Sequence, residues 1–339
     1  MEKTTPKIAE IADRLGVSRS TVSYVLNDKW EKRGISRATA EKILSYIEET
    51  GFLPNPASLA LKGKRVKEIA ILVSPRAIEH QRRAFFSLLG ILEEHNKSYM
   101  VLPLTEDSLP ETAQFINMYR VPKVITVSTP LHTGLKEKWA RFFKSSSGID
   151  FFYYEFPFEH MEPGTFLNSP GSIAIGINRK KARKKALEYI ISRGYKNIIS
   201  PKDIFTTPRG GYPGINFMEY GIRDPEQLFK LGKFIAQQLP AIREKTKGPL
   251  AVYVNDDLAS ASVMKHLSEN GFNIPGDFAI LSWDGLPESD YFRLPLSTMV
   301  IPHGKMLETA RDWINGKKFT QNQIILDIEI REGQTLPKI

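Results

Sequence analysis

Acidic side chains cluster in two places where they could exchange protons or bind a metal ion. The run Asn255-Asp256-Asp257 and the residue Asp284 are the strongest candidates, because neighbouring carboxylates shift one another's pKa values. The sequence has no Gly-x-Ser-x-Gly, His-Glu-x-x-His or phosphate-binding Gly-Lys-Ser/Thr motif. It also has no cysteine, and its six histidines show no ligand spacing. We therefore expect no catalytic site, no metal and no cofactor.

Arginine and hydroxyl side chains near the N-terminus suit contact with DNA. Arg19 can fork onto a guanine, whereas serine and threonine hydroxyls can donate hydrogen bonds to phosphates or bases. The hydroxyls belong to Ser18, Ser20, Thr21 and Ser23. Together with Tyr24, several of these residues are expected on the exposed surface of a helix near its start.

The elements that would carry these residues form a predicted helix-turn-helix. Apolar residues at helical spacing mark a first helix that ends at Gly16, and Ser18 can cap a second helix whose apolar side faces inward. A third helix is predicted over about 36–50. The apolar positions are Ile8, Ile11, Ala12, Leu15, Val22, Val25, Leu26, Ile43, Leu44 and Ile47. A second helix presented in this way fits the major groove of DNA; a three-helix interaction domain is the alternative.

A short helix is predicted after the third one. Asn55 can cap it, Pro56 suits its first turn, and Gly63 suits the position just past its end. A helix this short needs a partner because the cost of nucleation is not recovered over so few residues. Ala57, Ala60, Leu59 and Leu61 give it small and apolar faces, through which two copies could pair and push a leucine into a kinked minor groove. A plain linker is the alternative.

Beyond residue 66, short β-branched runs alternate with longer charged segments of helical period. This alternation predicts parallel sheets with crossover helices, and its length suits two lobes with a ligand cleft between them. The predicted strands are Glu68–Val73, Tyr99–Leu104, Lys123–Val127, Phe151–Glu155, Ser172–Ile177, Asn197–Ser200, Leu250–Val254 and Phe278–Trp283. The predicted helices are 79–96, 109–119, 133–146, 179–193, 224–244 and 257–270.

The composition is that of a globular protein with a basic N-terminal segment. Of the 339 residues, 41% are hydrophobic and 25% are charged, which excludes a disordered or fibrous chain. The net charge is +9, and residues 1–65 hold twelve Lys and Arg against eight Asp and Glu, so a polyanionic partner is a hypothesis to test. We find neither a secretory signal in the first twenty residues nor an apolar run long enough to cross a bilayer. We expect a soluble, cytoplasmic protein.

Two parts of the chain contain a series of short motifs. The first series is Ile8-Ala9-Glu10-Ile11-Ala12, Leu15-Gly16-Val17-Ser18, Ser20-Thr21-Val22-Ser23, Val25-Leu26-Asn27 and Gly51-Phe52-Leu53-Pro54-Asn55-Pro56-Ala57. The second is Val254-Asn255-Asp256-Asp257-Leu258-Ala259, Ile274-Pro275-Gly276-Asp277-Phe278-Ala279-Ile280, Trp283-Asp284, Pro295-Leu296-Ser297-Thr298 and Ile330-Arg331-Glu332-Gly333. They closely resemble the DNA-binding head and the effector-binding core of the LacI/GalR family of bacterial transcription regulators.

The resemblance implies an all-α helix-turn-helix head and an α/β core of two parallel-sheet lobes, like that of periplasmic binding proteins. The implied domains are 1–54 for DNA binding, 55–65 for a hinge helix and linker, and 66–339 for effector binding and dimerisation. It also implies a repressor that binds a pseudo-palindromic DNA operator as a homodimer and responds to a small effector such as a sugar. A sugar-binding or sugar-modifying protein whose head mediates assembly is the alternative.

The resemblance also assigns roles to individual residues. Together with the residues themselves it gives the predicted DNA-binding residues Ser18, Arg19, Ser20, Thr21, Ser23, Tyr24, Asn27, Lys29, Asn55, Ala57 and Leu61 and the predicted effector-binding residues Arg209, Asn255 and Asp284. Among them, Arg19 and Ser20 match the positions that most often set the operator sequence, and Leu61 matches the leucine inserted into the minor groove.

Three departures from the family pattern stand out. Tyr24 occupies the position where the family usually has an arginine that reads guanine. The segment 27–36 is longer than usual and adds Lys29, Lys32 and Arg33, which could reach phosphate. The surroundings of Arg209 fit the family poorly, which indicates a rebuilt effector pocket.

Two further runs could contact a ligand. The basic run 179–185 could bind an anionic effector or DNA, but a solvated helix face is the favoured interpretation. The aromatic run 151–158 could stack on a ring-shaped ligand, but packing of a buried strand is favoured there.

Overall fold

The structure, a computed structural model, describes residues 8–50, 68–75, 77–127, 139, 148–158, 167, 169–201, 214–220 and 228–339. The chain divides into two compact units at residues 66 and 67, which we call the head and the core. The described part of the head consists of α1 (Ile8–Leu15), α2 (Arg19–Leu26), a 3-10 helix (Glu31–Arg33) and α3 (Arg37–Thr50). The predicted helix-turn-helix is confirmed.

The three helices of the head enclose one small apolar cluster. Its buried members are Ile11, Ala12, Val22, Val25, Ala40 and Ile43. Our prediction that Leu44 faces inward was wrong, since 47% of that residue is exposed. The buried side of α3 is centred on Ala40 and Ile43, with Ile47 packed against the same cluster, so Leu44 lies at the edge of the stripe.

The core begins with a lobe built on repeated strand and helix units. Its elements are β1 (Ile69–Val73), α4 (Glu79–Glu94), β2 (Tyr99–Pro103), α5 (Leu109–Met118), β3 (Lys123–Thr126), β4 (Asp150–Tyr154) and β5 (Ile173–Ile177). Strand β11 (Gln323–Leu326) joins them to give a parallel six-stranded sheet of order β11-β5-β4-β3-β1-β2.

A second lobe follows the same pattern. Its elements are α6 (Arg179–Ser192), β6 (Asn197–Pro201), β7 (Asn216–Tyr220), α7 (Leu228–Lys245), β8 (Leu250–Tyr253), α8 (Asp257–Glu269), β9 (Ala279–Asp284), β10 (Ser297–Val300) and β12 (Glu329–Arg331). The sheet order is β12-β10-β9-β8-β6-β7. Only β12, paired with β10, runs antiparallel among the described strand pairs of this sheet.

The chain passes between the two sheets after β5, after β10 and after β11. On the second passage it forms α9 (His303–Ile314), which packs against α4 and β4 of the first lobe. One buried apolar cluster includes residues of both sheets. The predicted architecture of two parallel-sheet lobes is therefore confirmed, and the three passages form the connection between the lobes.

The central strands are buried on both faces, as parallel sheets covered by helices require. Every residue of β5 is buried, and its Gly176 is required by close packing: a Cβ atom there would lie 2.2 Å from the carbonyl oxygen of Phe156. That contact accompanies a hydrogen bond of 2.8 Å from the Phe156 amide to the Ile175 carbonyl. The first passage between the lobes thus starts from a rigid strand.

Candidate functional site

The N-terminus of α2 is fixed by the cap predicted from the sequence. The Ser18 hydroxyl accepts a hydrogen bond of 3.0 Å from the Thr21 amide and lies 2.7 Å from the Ser20 hydroxyl and 2.8 Å from the Thr21 hydroxyl. A cap of this kind satisfies an amide that the helix itself leaves free. The start of α2 is therefore held in one geometry.

Basic side chains around α2 are available for contacts outside the head. Arg19 and Lys29 are exposed, as is the polar residue Ser20, and no described residue pairs with either cation. Asn27 is engaged internally: its side-chain amide donates to the Ser23 carbonyl and, at 3.4 Å, to the Ser23 hydroxyl. The surface of α2 thus offers free donors at its N-terminal end and an internally bonded amide at its C-terminal end.

The long segment after α2 is folded onto the head. Trp30 and Ile35 pack against the apolar cluster, and the 3-10 helix ends at Gly34 with φ +67°. The guanidinium carbon of Arg33 lies 4.9 Å from the centroid of the Tyr24 ring. The structure therefore brings a cation from this segment to the position where the family usually has an arginine.

Four of the predicted site residues cannot be placed. Asn55, Ala57, Leu61 and Arg209 lie outside the described residues. The predicted hinge helix over 56–62, which includes Ala57 and Leu61 and for which Asn55 is the predicted cap, lies outside as well.

In the core, the two other predicted effector residues lie at one edge of the second sheet. Asn255 follows β8, and Asp284 ends β9 with φ +116°. These strands are parallel neighbours, so their carboxyl ends meet at the same edge. Such edges are where open α/β sheets bind ligands.

Asp256 and Asp257, the two carboxylates that directly follow Asn255 in the sequence, have structural roles. Asp256 caps α8 by accepting hydrogen bonds from the amides of Leu258 at 2.7 Å and Ala259 at 2.9 Å. Asp257 accepts from the Leu286 amide and the Thr298 hydroxyl, both at 2.7 Å. Burial raises the pKa of Asp256 to about 7, assisted by the charge of Asp284, and burial raises the pKa of Asp257 to about 6.

Asp284 takes part in a buried ionic cluster. His80 Nε2 lies 3.1 Å from Glu155 Oε2, and His80 Nδ1 lies 3.2 Å from Asp284 Oδ1. The three side chains are at most 5% exposed. Arg179 also reaches Glu155, at 2.9 Å.

These contacts make His80 a buried cation. Burial alone would lower the pKa of His80, but the charges of Glu155 and Asp284 outweigh it and raise that pKa well above its usual value. Burial likewise opposes ionisation of Glu155, yet the His80 and Arg179 charges hold its pKa below the ordinary range. The His80 imidazolium is therefore stabilised between two carboxylates.

The cluster joins the two lobes. His80 lies in α4 and Glu155 directly follows β4, both in the first lobe, whereas Asp284 ends β9 in the second. We call these three residues the inter-lobe bridge. Any movement that separates the two sheet edges must break one of its ion pairs.

A second histidine lies beside the bridge. His303 begins α9, and its ring centroid is 5.4 Å from that of His80. Its Nδ1 is 2.8 Å from the Tyr154 hydroxyl. Burial lowers the pKa of His303 to about 4, so it is neutral where His80 is charged.

A cavity of about 440 Å³ opens next to the bridge. Its lining includes His80, Arg83, Asp284, Ile301 and His303. The Nε2 atom of His303 is buried and has no hydrogen-bond partner among the described residues. The cavity can thus accept a small molecule with polar groups; Asn255 does not line it.

The favoured interpretation of the aromatic run is confirmed. The basic run is only partly a solvated helix face, since its four lysines are exposed but Arg179 is half-buried. Asn178 caps α6, Arg179 pairs with Glu155, and Lys181 pairs with Asp327 at 2.9 Å. Lys185 donates to the Ile328 carbonyl. The aromatic run is buried at Phe151, Phe152, Tyr153, Tyr154 and Phe156.

His80, His303 and Glu155 were missed by the sequence argument. Glu155 was included only as the last residue of a predicted strand, and the structure instead gives it φ +60° just beyond β4. No spacing links the two histidines, because they come from different elements far apart in the chain. Within the described residues, no group of three or more acidic or histidine side chains is placed to hold a metal ion.

Comparison with known protein families gives two matches. Residues 7–55 match the family described as "Bacterial regulatory proteins, lacI family", and residues 178–335 match a periplasmic binding protein-like domain. None of the described helices meets the length and hydropathy needed to span a membrane.

Two relatives align with most of the chain. The chain is 25% identical over 354 aligned residues to the HTH-type transcriptional regulator MalR of Clostridium butyricum, covering 96% of this chain and 97% of that protein. It is 24% identical to the HTH-type transcriptional repressor PurR of Photobacterium profundum, covering 89% of each.

Solved structures agree on the fold. A lac repressor dimer bound to operator and the anti-inducer ONPF has a TM-score of 0.69 at 17% identity, covering 98% of this chain and 100% of that one. A LacI family regulator from Silicibacter pomeroyi has a TM-score of 0.71 at 19% identity, covering 98% and 99%. With its head, its two-lobed core and these relatives, the chain belongs to the LacI family of bacterial transcriptional regulators.

Proposed function

We propose that this protein binds a pseudo-palindromic DNA operator as a homodimer and represses transcription from it. The observation that carries the proposal is α2 itself, a capped helix whose exposed surface presents Arg19 and Ser20, and no described residue competes for Arg19. A relative of the same organisation is named a repressor, and a lac repressor of the same fold binds its operator as a dimer. The DNA target places its action in the bacterial cytoplasm.

The residues around α2 divide by the kind of contact they would make. Arg19 presents a planar fork that matches the guanine edge, which gives sequence choice. Lys29 would meet phosphate, which gives affinity but little choice. The hydroxyls of Ser18 and Thr21 hold the helix start, so their contribution would be to orient α2. Asn55, Ala57 and Leu61 complete the proposed interface as a paired hinge helix in the minor groove.

The core would sense a small effector, for which a sugar is the leading class. Regulators of the same fold have been solved with sucrose, with cellobiose and with ribose. In this chain the cavity beside the inter-lobe bridge, together with Asn255 at the same sheet edge, is the proposed binding region, and Arg209 is a further proposed contact. We propose no catalytic step, because Asp256 and Asp257 already serve the fold.

Coupling between the core and DNA would run through lobe geometry. An effector changes DNA affinity only by its preference for one lobe arrangement, typically worth about 1–3 kcal/mol. A ligand that donates hydrogen bonds to Asp284 would share this carboxylate with His80. Ligand binding and the stability of the inter-lobe bridge are therefore linked in this proposal.

The test is selection of bound duplexes from a random pool by the full-length protein. Wild type should select a sequence with two-fold pseudo-symmetry. Arg19→Ala should cost about 1–3 kcal/mol on that operator and relax choice at one position of each half-site, whereas Lys29→Ala should weaken all duplexes evenly and reduce the salt slope by about 1.

Two outcomes contradict the proposal. A pool that emerges without sequence preference would favour the alternative of a sugar-binding protein with an assembly module. Equal losses on operator and random DNA for Arg19→Ala would remove that residue from base recognition.

A further inference from the structure

The segment between α2 and α3 has a defined structure of its own. The Lys29 amide donates to the Tyr24 carbonyl at 2.9 Å, which ties the segment to the end of α2. The Trp30 carbonyl then accepts from the amides of Arg33 at 3.2 Å and Ile35 at 3.0 Å. Because Trp30 and Ile35 also pack on the apolar cluster of the head, the turn between them is held at both ends.

This turn fixes where Arg33 can reach. Arg33 is the last residue of the 3-10 helix. The next residue, Gly34, has a left-handed backbone conformation that residues with a side chain rarely adopt. The Arg33 guanidinium lies over the Tyr24 ring at 4.9 Å from its centroid. Arg33 is exposed, and no described carboxylate pairs with it.

Stacking leaves the hydrogen-bonding groups of an arginine free. A guanidinium that stacks on an aromatic ring contacts it with its flat face, and its N–H groups remain free in the plane. That planar edge is the part that forks onto O6 and N7 of guanine. A lysine at the same place would keep the charge but would have no planar edge to present.

We propose that Arg33, seated on the Tyr24 ring, reads a base of the operator. This inference rests on the proposed function, since it requires α2 to lie in the major groove. Tyr24 is five residues beyond Arg19, or about 7.5 Å along the helix axis. Arg33 and Arg19 are therefore expected to read different bases of the half-site.

The experiment compares operator selection by full-length wild type, Arg33→Lys, Arg33→Ala and Tyr24→Leu. Arg33→Lys keeps the charge, so it should retain affinity for random duplexes and lose preference at one half-site position by about 5- to 150-fold. Arg33→Ala should show the same loss together with a smaller salt slope. Tyr24→Leu should lose preference at that position because the guanidinium has no ring to rest on.

Arg14→Lys is the matched control. Arg14 also lies over a tyrosine of the head, with its guanidinium carbon 5.7 Å from the centroid of the Tyr46 ring, but it belongs to α1. The control should select the wild-type operator. If Arg14→Lys and Arg33→Lys change selection in the same way, stacking only stabilises the head and the proposal is overturned.

Other outcomes are equally decisive. If Arg33→Lys selects the wild-type operator with wild-type preference, Arg33 is at most a phosphate contact and the inference fails. If Tyr24→Leu keeps the preference, the Tyr24 ring does not support the Arg33 guanidinium. Thermal unfolding of each variant separates loss of recognition from loss of fold, and the lysine variant is the decisive one if the alanine variant unfolds. If wild type itself selects nothing, the proposed function fails instead.

Discussion

The inter-lobe bridge predicts an unusual dependence of stability on residue 80. In His80→Gln the buried cation is lost while Glu155 and Asp284 stay buried, each at 2% side-chain exposure. Removing one partner of a buried ion pair costs about 3–5 kcal/mol, because the remaining charge has no compensation. We expect a loss of that size in the free energy of unfolding at pH 6.

A second substitution should recover part of this loss. Asp284→Asn in the His80→Gln background removes the carboxylate that lost its only described cationic partner, whereas Glu155 keeps Arg179 at 2.9 Å. The double variant should therefore be more stable than the single one at pH 7. Equal stabilities would mean that Asp284 does not depend on His80.

The raised pKa values of the inter-lobe bridge determine the direction in which stability changes with pH. The pKa of His80 is raised in the folded state, so its contribution is fully present below the unfolded pKa of about 6.5 and is lost as pH rises through the folded value. The pKa of Asp284 is raised by burial, which acts in the same direction. As pH rises above 6.5, the free energy of unfolding of wild type should fall relative to that of the double variant. The fall should be up to about 1.4 kcal/mol per pH unit for each proton released.

The assay is urea unfolding of full-length proteins between pH 6 and 9, followed by tryptophan fluorescence, to which the buried Trp139, Trp283 and Trp313 contribute. Burial lowers the pKa of His303 to about 4, so His303 makes stability rise with pH up to about its unfolded pKa of 6.5. Both wild type and the double variant contain His303, so the comparison between them removes this contribution. His266→Gln, on α8, is the matched control for loss of a histidine outside the inter-lobe bridge. Parallel curves for wild type and the double variant would refute the reasoning.

Three simpler substitutions test the framework that holds the site. Ser18→Ala removes the α2 cap and should lower the stability of the head by about 0.5–2 kcal/mol, measured by thermal unfolding against Ser45→Ala on the exposed part of α3. Gly176→Ala places a Cβ atom 2.2 Å from the Phe156 carbonyl oxygen, so a loss of about 1–3 kcal/mol or more is expected in urea unfolding. Asp256→Ala uncaps α8 and should speed amide exchange at Leu258 and Ala259; unchanged rates would exclude the cap.

Local patterns predicted most of the architecture. All eight predicted strands occur with ends within one residue of those observed, because strands buried on both faces appear in the sequence as uninterrupted apolar runs. The predicted helix ends of α4, α5, α6 and α8 are close to the observed ones for a similar reason. The helix expected over 133–146 lies mainly outside the described residues.

Elements without a distinct local pattern were missed. Strands β7, β10 and β11 were not predicted, and the segment that contains β12 was noted only as a motif of the family resemblance, Ile330-Arg331-Glu332-Gly333. They are short, and β11 alternates exposed and half-buried residues. Helix α9 was also missed, although its Met306, Ala310 and Trp313 repeat at helical spacing. That spacing was the signal available in the sequence.

The residues of the site divide in the same way, into those that a local pattern predicts and those that only the folded chain brings together. Ser18 and Arg19 could be assigned because one helix orders all the relevant residues by their spacing. The inter-lobe bridge could not, since His80 and Glu155 are 75 residues apart and only the packing of α4 against the sheet edge brings them together. The Arg33 contact with Tyr24 depends equally on a folded turn.

The most direct measurement compares the affinity of the full-length protein for its selected operator and for a shuffled duplex of the same composition at physiological salt. We predict a preference of at least about 1000-fold, the lower bound for specific DNA-binding proteins, and its reduction in Arg19→Ala. Equal affinities for the two duplexes, falling together as salt rises, would contradict the account.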